Sequence, residues 1–207
     1  ASGDNSIALP EMDSKQIALL QFTSGTTREP KAIQFSHKAI LDHVKANATY
    51  NQITRDSVYV SWLPFYHDMG LINHVRHLVH GGPLVLMSPR TWLEQPVMLL
   101  KAVHRYKGMA SSMPNFGFDY CVRHIRDEEL SGIDLSSWRF LSNGSEPVAL
   151  SSIHRFCERF GPYGFHPEAL KVSYGMAENV AGVSTTPAGQ SIQVDWVSID
   201  DLQIRNR

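Results

Sequence analysis

Four short segments carry the residue types that ligand chemistry needs. The first is Thr23-Ser24-Gly25-Thr26-Thr27-Arg28-Glu29-Pro30-Lys31. Four hydroxyls crowd around one glycine, and a lysine closes the run. A glycine-containing loop exposes backbone N–H groups that cradle phosphate oxygens, hydroxyls add donors, and Lys31 adds a positive charge. The spacing is not GxxxxGK(S/T), the P-loop of the common nucleotide hydrolases. By residue type alone, a polar turn between a strand and a helix fits equally well.

The second segment is Trp62-Leu63-Pro64-Phe65-Tyr66-His67-Asp68-Met69-Gly70. It reads as an aromatic turn with one His–Asp pair. His67 titrates near neutrality and suits a base or a pocket gate, or a packed histidine held by a polar partner. The third, Asn143-Gly144-Ser145-Glu146-Pro147, is a turn followed by a helix start. The fourth, Tyr174-Gly175-Met176-Ala177-Glu178, offers a flat ring for stacking on a purine and a glycine for close approach. It ends in a carboxylate suited to Mg²⁺, although a lone acid equally reads as an exposed loop residue.

These segments need a frame. Apolar runs predict strands at Ile17–Phe22, Val58–Leu63, Pro83–Met87, Gly108–Met113, Arg139–Ser142 and Leu170–Tyr174. Between them the spacing predicts helices: one capped by Ser36 with Ile40, Val44 and Ala48; one through Leu93, Val97, Leu100 and Val103; one through Phe118, Cys121, Val122 and Ile125; and one through Leu150, Ile153, Cys157 and Phe160. Alternating strands and helices predict an α/β fold with mostly parallel sheets and flanking helices. In such sheets ligands sit beyond the carboxyl ends of the strands, where all four segments are expected.

Composition narrows the classes. The chain has 207 residues, 43% of them apolar, with 19 basic and 20 acidic side chains and a net charge of -1. Such a balance excludes a general nucleic-acid binder, which needs a basic face. No apolar run reaches the ~18 residues of a membrane span. The mixed, polar start carries no signal-peptide pattern, and Cys121 and Cys157 form no CxxC pair. A cytoplasmic location is expected. His74, His77 and His80 are three apart; on a helix the outer two diverge by ~120°, poor geometry for one metal, so a helix surface with solvated imidazoles is expected. Both thiols fall on apolar helix faces and are expected to be buried and inert.

With the first segment in view, the chain resembles the adenylate-forming superfamily of acyl-CoA synthetases, luciferases and adenylation domains. Its pattern TSG(S/T)TGxPKG is matched at residues 23–27, 30 and 31, with Arg28 and Ala32 in place of two glycines. Arg28 lacks glycine's freedom at positive φ and adds a charge to the loop. Residues 62–72 are similar to the stretch typical of fatty acyl-AMP ligases. Residues 143–147 resemble the GAEP-type loop, and residues 174–178 match YG(L/M/T)(A/S/T)E.

The resemblance implies ATP (and AMP) and Mg²⁺ as cofactors. It places Thr23, Ser24, Gly25, Thr26, Thr27 and Lys31 on the phosphates. Gly144, Ser145, Glu146, Tyr174, Gly175 and Met176 would lie at the adenine, and Glu178 would be the metal ligand. His67, Lys31 and Glu178 are the implied catalytic residues; Tyr66, Met69 and Phe116 would line the acyl pocket. The implied activity is activation of a fatty or related carboxylic acid as acyl-adenylate for transfer to an acyl carrier protein. An acyl-CoA synthetase, an amino-acid adenylation domain or a non-catalytic nucleotide-binding remnant stays open. The expected layout is an arm or linker over 1–15, a partial AMP-binding domain over 16–186, and a further strand or linker over 187–207. No ribose-binding aspartate motif and no C-terminal catalytic lysine follow. The chain is therefore expected to be a central piece of the large N-terminal domain, inactive by itself.

Overall fold

A computed structural model describes residues 11–22 and 31–199. Two antiparallel strands, β1 (Ile17–Phe22) and β2 (Ala32–Ser36), pair from Ile17 opposite Ser36 to Phe22 opposite Ala32. β2 escaped the sequence pattern, so the hydroxyl-rich segment lies in sequence between two antiparallel strands, not between a strand and a helix. Thr23 to Pro30 themselves lie outside the described residues. Ser36 then caps α1 (His37–Tyr50), its side chain accepting from the amide of Ala39 at 3.1 Å, as its residue type predicts.

Next come β3 (Tyr59–Ser61), α2 (Asp68–His80), β4 (Leu84–Leu86), α3 (Pro89–Glu94), α4 (Val97–Tyr106), β5 (Ala110–Met113) and α5 (Asn115–His124). β6 (Phe140–Asn143), α6 (Leu150–Phe160), β7 (Leu170–Gly175) and β8 (Gly182–Thr185) complete the regular elements. The main sheet has the order β4-β3-β5-β6-β7-β8. It is parallel except for β8, which returns antiparallel along β7 with a register shift at Tyr174/Gly175. Among the described residues beyond Thr186 there is no further strand.

Strand alternation divides the core between the two faces of this sheet. Val60 and Leu141 point to a large cluster built with Trp92, Leu100, Phe118, Phe156 and Phe160 from α3, α4, α5 and α6. Tyr59, Ala110 and Phe140 point the other way, toward Ala48 of α1. Phe35, Val44, Ile72 and Val180 join β2, α1 and α2. Helices thus cover both faces, as a parallel sheet requires.

The single helix expected through Leu93 and Val103 is two. Pro96 has no N–H to donate, and Gln95 before it is pushed to φ -142°, ψ 75°; α3 ends there and α4 starts after Pro96. The histidine helix also corrects an expectation. His74 and His77 are not solvated: they are 1% and 0% exposed. α2 turns that face onto the sheet, where His77 stacks on Tyr59 at 4.6 Å and its Nδ1 lies 3.0 Å from the Asn73 carbonyl. Burial lowers the pKa of His74 to about 4 and, with help from neighbouring Arg76, that of His77 to about 3. Both rings are neutral at physiological pH. No group of three metal-ligating side chains exists among the described residues.

Candidate active site

The site is a cavity of about 700 Å³ at the carboxyl ends of β5, β6 and β7, walled by α1, α2 and β8. Open parallel sheets bind ligands at this edge. From the segments singled out by sequence, His67, Met69, Gly144, Ser145, Tyr174 and Gly175 all line it. Residues more than a hundred positions apart therefore meet in one space.

Glycine is required at three of these turns. A Cβ on Gly144 would fall 2.6 Å from the Ser173 carbonyl oxygen, and one on Gly175 would fall 2.4 Å from that of Ala181. A Cβ on Gly70, in the first turn of α2, would meet the Pro64 carbonyl oxygen at 2.1 Å. Ser145 adopts φ 68° and its hydroxyl points to Met69 Sδ at 3.3 Å, tying the β6 loop to the start of α2. Tyr174 is 58% exposed, its ring presented to the cavity. Below it, Ser142, Ser173 and Thr185 form a hydroxyl chain at 2.8 Å per step across β6, β7 and β8.

His67 caps α2 and its Nδ1 lies 2.9 Å from Asp68 Oδ1. That hydrogen bond raises the His67 pKa against the opposing effect of burial. The Asp68 carboxyl is held below its ordinary value; burial is the largest single effect and works against ionisation, but the bond from His67, the His67 charge and the Met69 amide together outweigh it.

Other expected residues sit apart from the cavity lining. Lys31 is exposed at the start of the second described segment. Glu146 reaches away, its Oε1 accepting from the Phe116 amide at 2.5 Å in the first turn of α5. Tyr66 points to solvent, and Phe116 packs edge-on against Trp62 and Trp92 at 6.0 Å. Met176 donates its amide to the Ala181 carbonyl at 2.8 Å, shaping the turn before β8. Glu178 is exposed on the 3-10 turn Ala177–Asn179 and forms no ion pair with any described residue. One free carboxylate fits Mg²⁺, which takes one or two protein oxygens and fills its shell with water and phosphate.

Sequence reasoning missed the other wall. His43, Asn47 and Tyr50 of α1, Asn73 and Arg76 of α2, and Gly182–Thr185 of β8 all face the cavity. The i, i+4 spacing of His43 and Asn47 places them on one helix face, but only packing shows what that face meets.

An open α/β sheet with a cavity where β8 returns antiparallel, lined by loop glycines and an exposed tyrosine ring, is a ligand-binding arrangement. The chain belongs to the AMP-binding enzyme family, which matches residues 2–200. It is 36% identical over 199 residues to the medium-chain-fatty-acid–acyl-carrier-protein ligase JamA of Moorena producens, covering 96% of this chain and 33% of that protein. It is 36% identical over 189 residues to a 4-hydroxyphenylalkanoate adenylyltransferase of Mycobacterium marinum, covering 88% of this chain and 30% of that one. Among solved structures, a fatty acyl-adenylate ligase from L. pneumophila in complex with acyl adenylate and pyrophosphate superposes with a TM-score of 0.81 at 40% identity, covering 86% of this chain and 32% of that one. The chain spans about a third of the length of the curated relatives it matches. Among the described residues no helix is long and apolar enough to cross a membrane.

Proposed function

We propose that this chain is the core of an enzyme that activates a fatty or related carboxylic acid with ATP, forming an acyl-adenylate for transfer to an acyl carrier protein. The observation that carries this reading is the shared cavity. Its His67 end and its Gly144–Tyr174–Gly175 end open into one space, so an acid and a nucleotide can meet there. The fatty-acid ligases among its relatives support the same assignment.

In this reading a carboxylate oxygen of the acid attacks the α-phosphorus of ATP and pyrophosphate leaves. Such a displacement is mostly positioning and charge neutralisation. Tyr174 stacks on the adenine while Gly144 and Gly175 let the backbone approach it. Thr23 to Thr27 and Lys31 hold the outer phosphates. Glu178 would hold Mg²⁺, which supplies positive charge against the leaving pyrophosphate. His67 gives its Nδ1 hydrogen to Asp68 and, in the protonated form that this bond favours, donates an Nε2 hydrogen to the oxygen where acyl and phosphoryl groups join. The two free cysteines suit a reducing compartment, and we place the enzyme in the cytoplasm.

Mass spectrometry of the full-length protein with ATP, Mg²⁺ and medium-chain fatty acids tests the assignment. The expected product is acyl-AMP, followed by acyl transfer to a carrier protein and not to coenzyme A. Acyl-coenzyme A as the main product would replace the acceptor, and no adenylate with any acid would overturn the activity.

A further inference from the structure

α2 lays one face along the cavity. Met69, Ile72, Asn73 and Arg76 follow each other down from His67 at helical spacing. Arg76 lies nine positions after His67, about 13 Å along the helix axis at ~1.5 Å per residue. Arg76 borders the far wall and is 3% exposed.

Its surroundings leave this cation uncompensated. Nη1 donates to Asn47 Oδ1, and the guanidinium carbon lies 5.8 Å from the centre of the Tyr59 ring. Nε and Nη2 have no hydrogen-bond partner, and no carboxylate among the described residues pairs with Arg76. The nearby rings of His43 and His77 answer the same charge by staying neutral: burial first, then Arg76, lowers both pKa values. Burial brings Arg76 itself down to about 10, still a full cation at neutral pH. Asn47 Oδ1 also accepts from Asn51 Nδ2 at 3.0 Å, which orients the amide and leaves Asn47 Nδ2 as a further donor at the same wall. A buried arginine with donors to spare is costly unless an anion meets it.

We infer that Arg76 binds a second anionic group on the acid, so that the substrate class is an α,ω-dicarboxylic acid and not a plain fatty acid. The inference rests on the acid-activation reading above, which already assigns the nucleotide's phosphates to Thr23 to Thr27, Lys31 and the Mg²⁺ that Glu178 would hold. One carboxylate lies at His67 for activation. The chain of the acid runs past Met69 and Ile72. The other carboxylate ends on the guanidinium at the far wall, where charge-assisted N–H bonds are the strong ones.

The test compares diacids of eight to twelve carbons with monoacids of equal length in acid-dependent ATP–pyrophosphate exchange by the full-length protein. The wild type is expected to favour the diacid in kcat/KM by roughly tenfold or more, the range of a charge-assisted contact. Arg76→Leu should remove or reverse that preference, and Arg76→Lys should keep part of it. Should Arg76→Leu fail to fold by circular dichroism, the ratio in Arg76→Lys decides, and an unmoved ratio overturns the inference. A wild type that prefers monoacids overturns it as well. If no acid supports exchange, the activation reading fails and calorimetry with octanedioate decides separately: binding lost in the Arg76 variants sustains the anion site, and no binding to the wild type ends it.

Discussion

Nδ1 of His67 lies 2.9 Å from Oδ1 of Asp68, and that contact fixes which ring nitrogen is free. The Met69 amide lies 3.2 Å from the same nitrogen but 2.5 Å from Asp68 Oδ1. A protonated Nδ1 cannot accept, so the amide belongs to the carboxylate and Nε2 is left for the ligand. The expected His67 pKa is above 6.5, and Asp68→Asn should bring it back to or below that value in an NMR titration. A group raised on folding stabilises fully below its unfolded pKa and loses that contribution as pH rises through its folded pKa. With His67 half exposed, solvent screening keeps this to under about 1 kcal/mol. An unchanged titration in Asp68→Asn would separate the two residues.

The glycine at position 70 is set by sterics. Gly70→Ala would press a methyl against the Pro64 carbonyl oxygen, 2.1 Å from the ideal Cβ. Backbone shift at the start of α2 should cost about 1–3 kcal/mol, the range for overpacking, and move His67 off the cavity. Chemical denaturation reads the first effect and adenylate formation the second. Gly175→Ala, with its contact at 2.4 Å, should loosen the β7–β8 turn and weaken nucleotide binding with a smaller change in the α2 side. Equal stability and activity in Gly70→Ala would refute the packing argument.

His74 and His77 make the fold acid-sensitive. Both are neutral when folded, with pKa values of about 4 and about 3 against an ordinary 6.5. Between those limits the unfolded chain binds more protons. Their contribution is therefore complete above about pH 6.5 and drains away as pH falls, at up to ~1.4 kcal/mol per pH unit for each ring. Urea midpoints should drop between pH 7 and pH 5, and His74→Phe/His77→Phe should flatten that dependence. The same slope in wild type and double variant would contradict the burial of these rings.

Much of this site was visible in the sequence, for a physical reason. Turn residues and stacking residues follow directly on strands, so Gly144, Tyr174 and Gly175 could be placed at strand ends from local pattern, and Ser36 announced its helix. Arg76 could not be placed this way. Its helix shows apolar and basic residues on several faces, and only docking onto Tyr59 and Asn47 decides which side is inside. The same docking turned His74 and His77 from expected solvent to core. β2 and β8 are too short and too mixed (Ala32–Ser36 and Gly182–Thr185) to stand out without their partners.

The thiols should be silent. Burial raises Cys121 to about 12, and burial followed by the nearby Glu168 and Glu158 raises Cys157 to about 11. Thiolate is the reactive form, so alkylation by iodoacetamide at pH 7 should be slow in the folded protein and fast in urea. Rapid labelling of either under native conditions would mean that its helix opens.

Acid-dependent exchange of labelled pyrophosphate into ATP by the full-length protein probes the central claim most directly, because it requires nucleotide, acid and metal sites together. The expected result is exchange that depends on a carboxylic acid and on Mg²⁺, falls by roughly 10²-fold or more in Glu178→Ala as the metal's charge stabilisation is lost, and survives in Cys157→Ser. Binding of ATP with no exchange for any acid would contradict it and leave a nucleotide-binding domain without the chemistry.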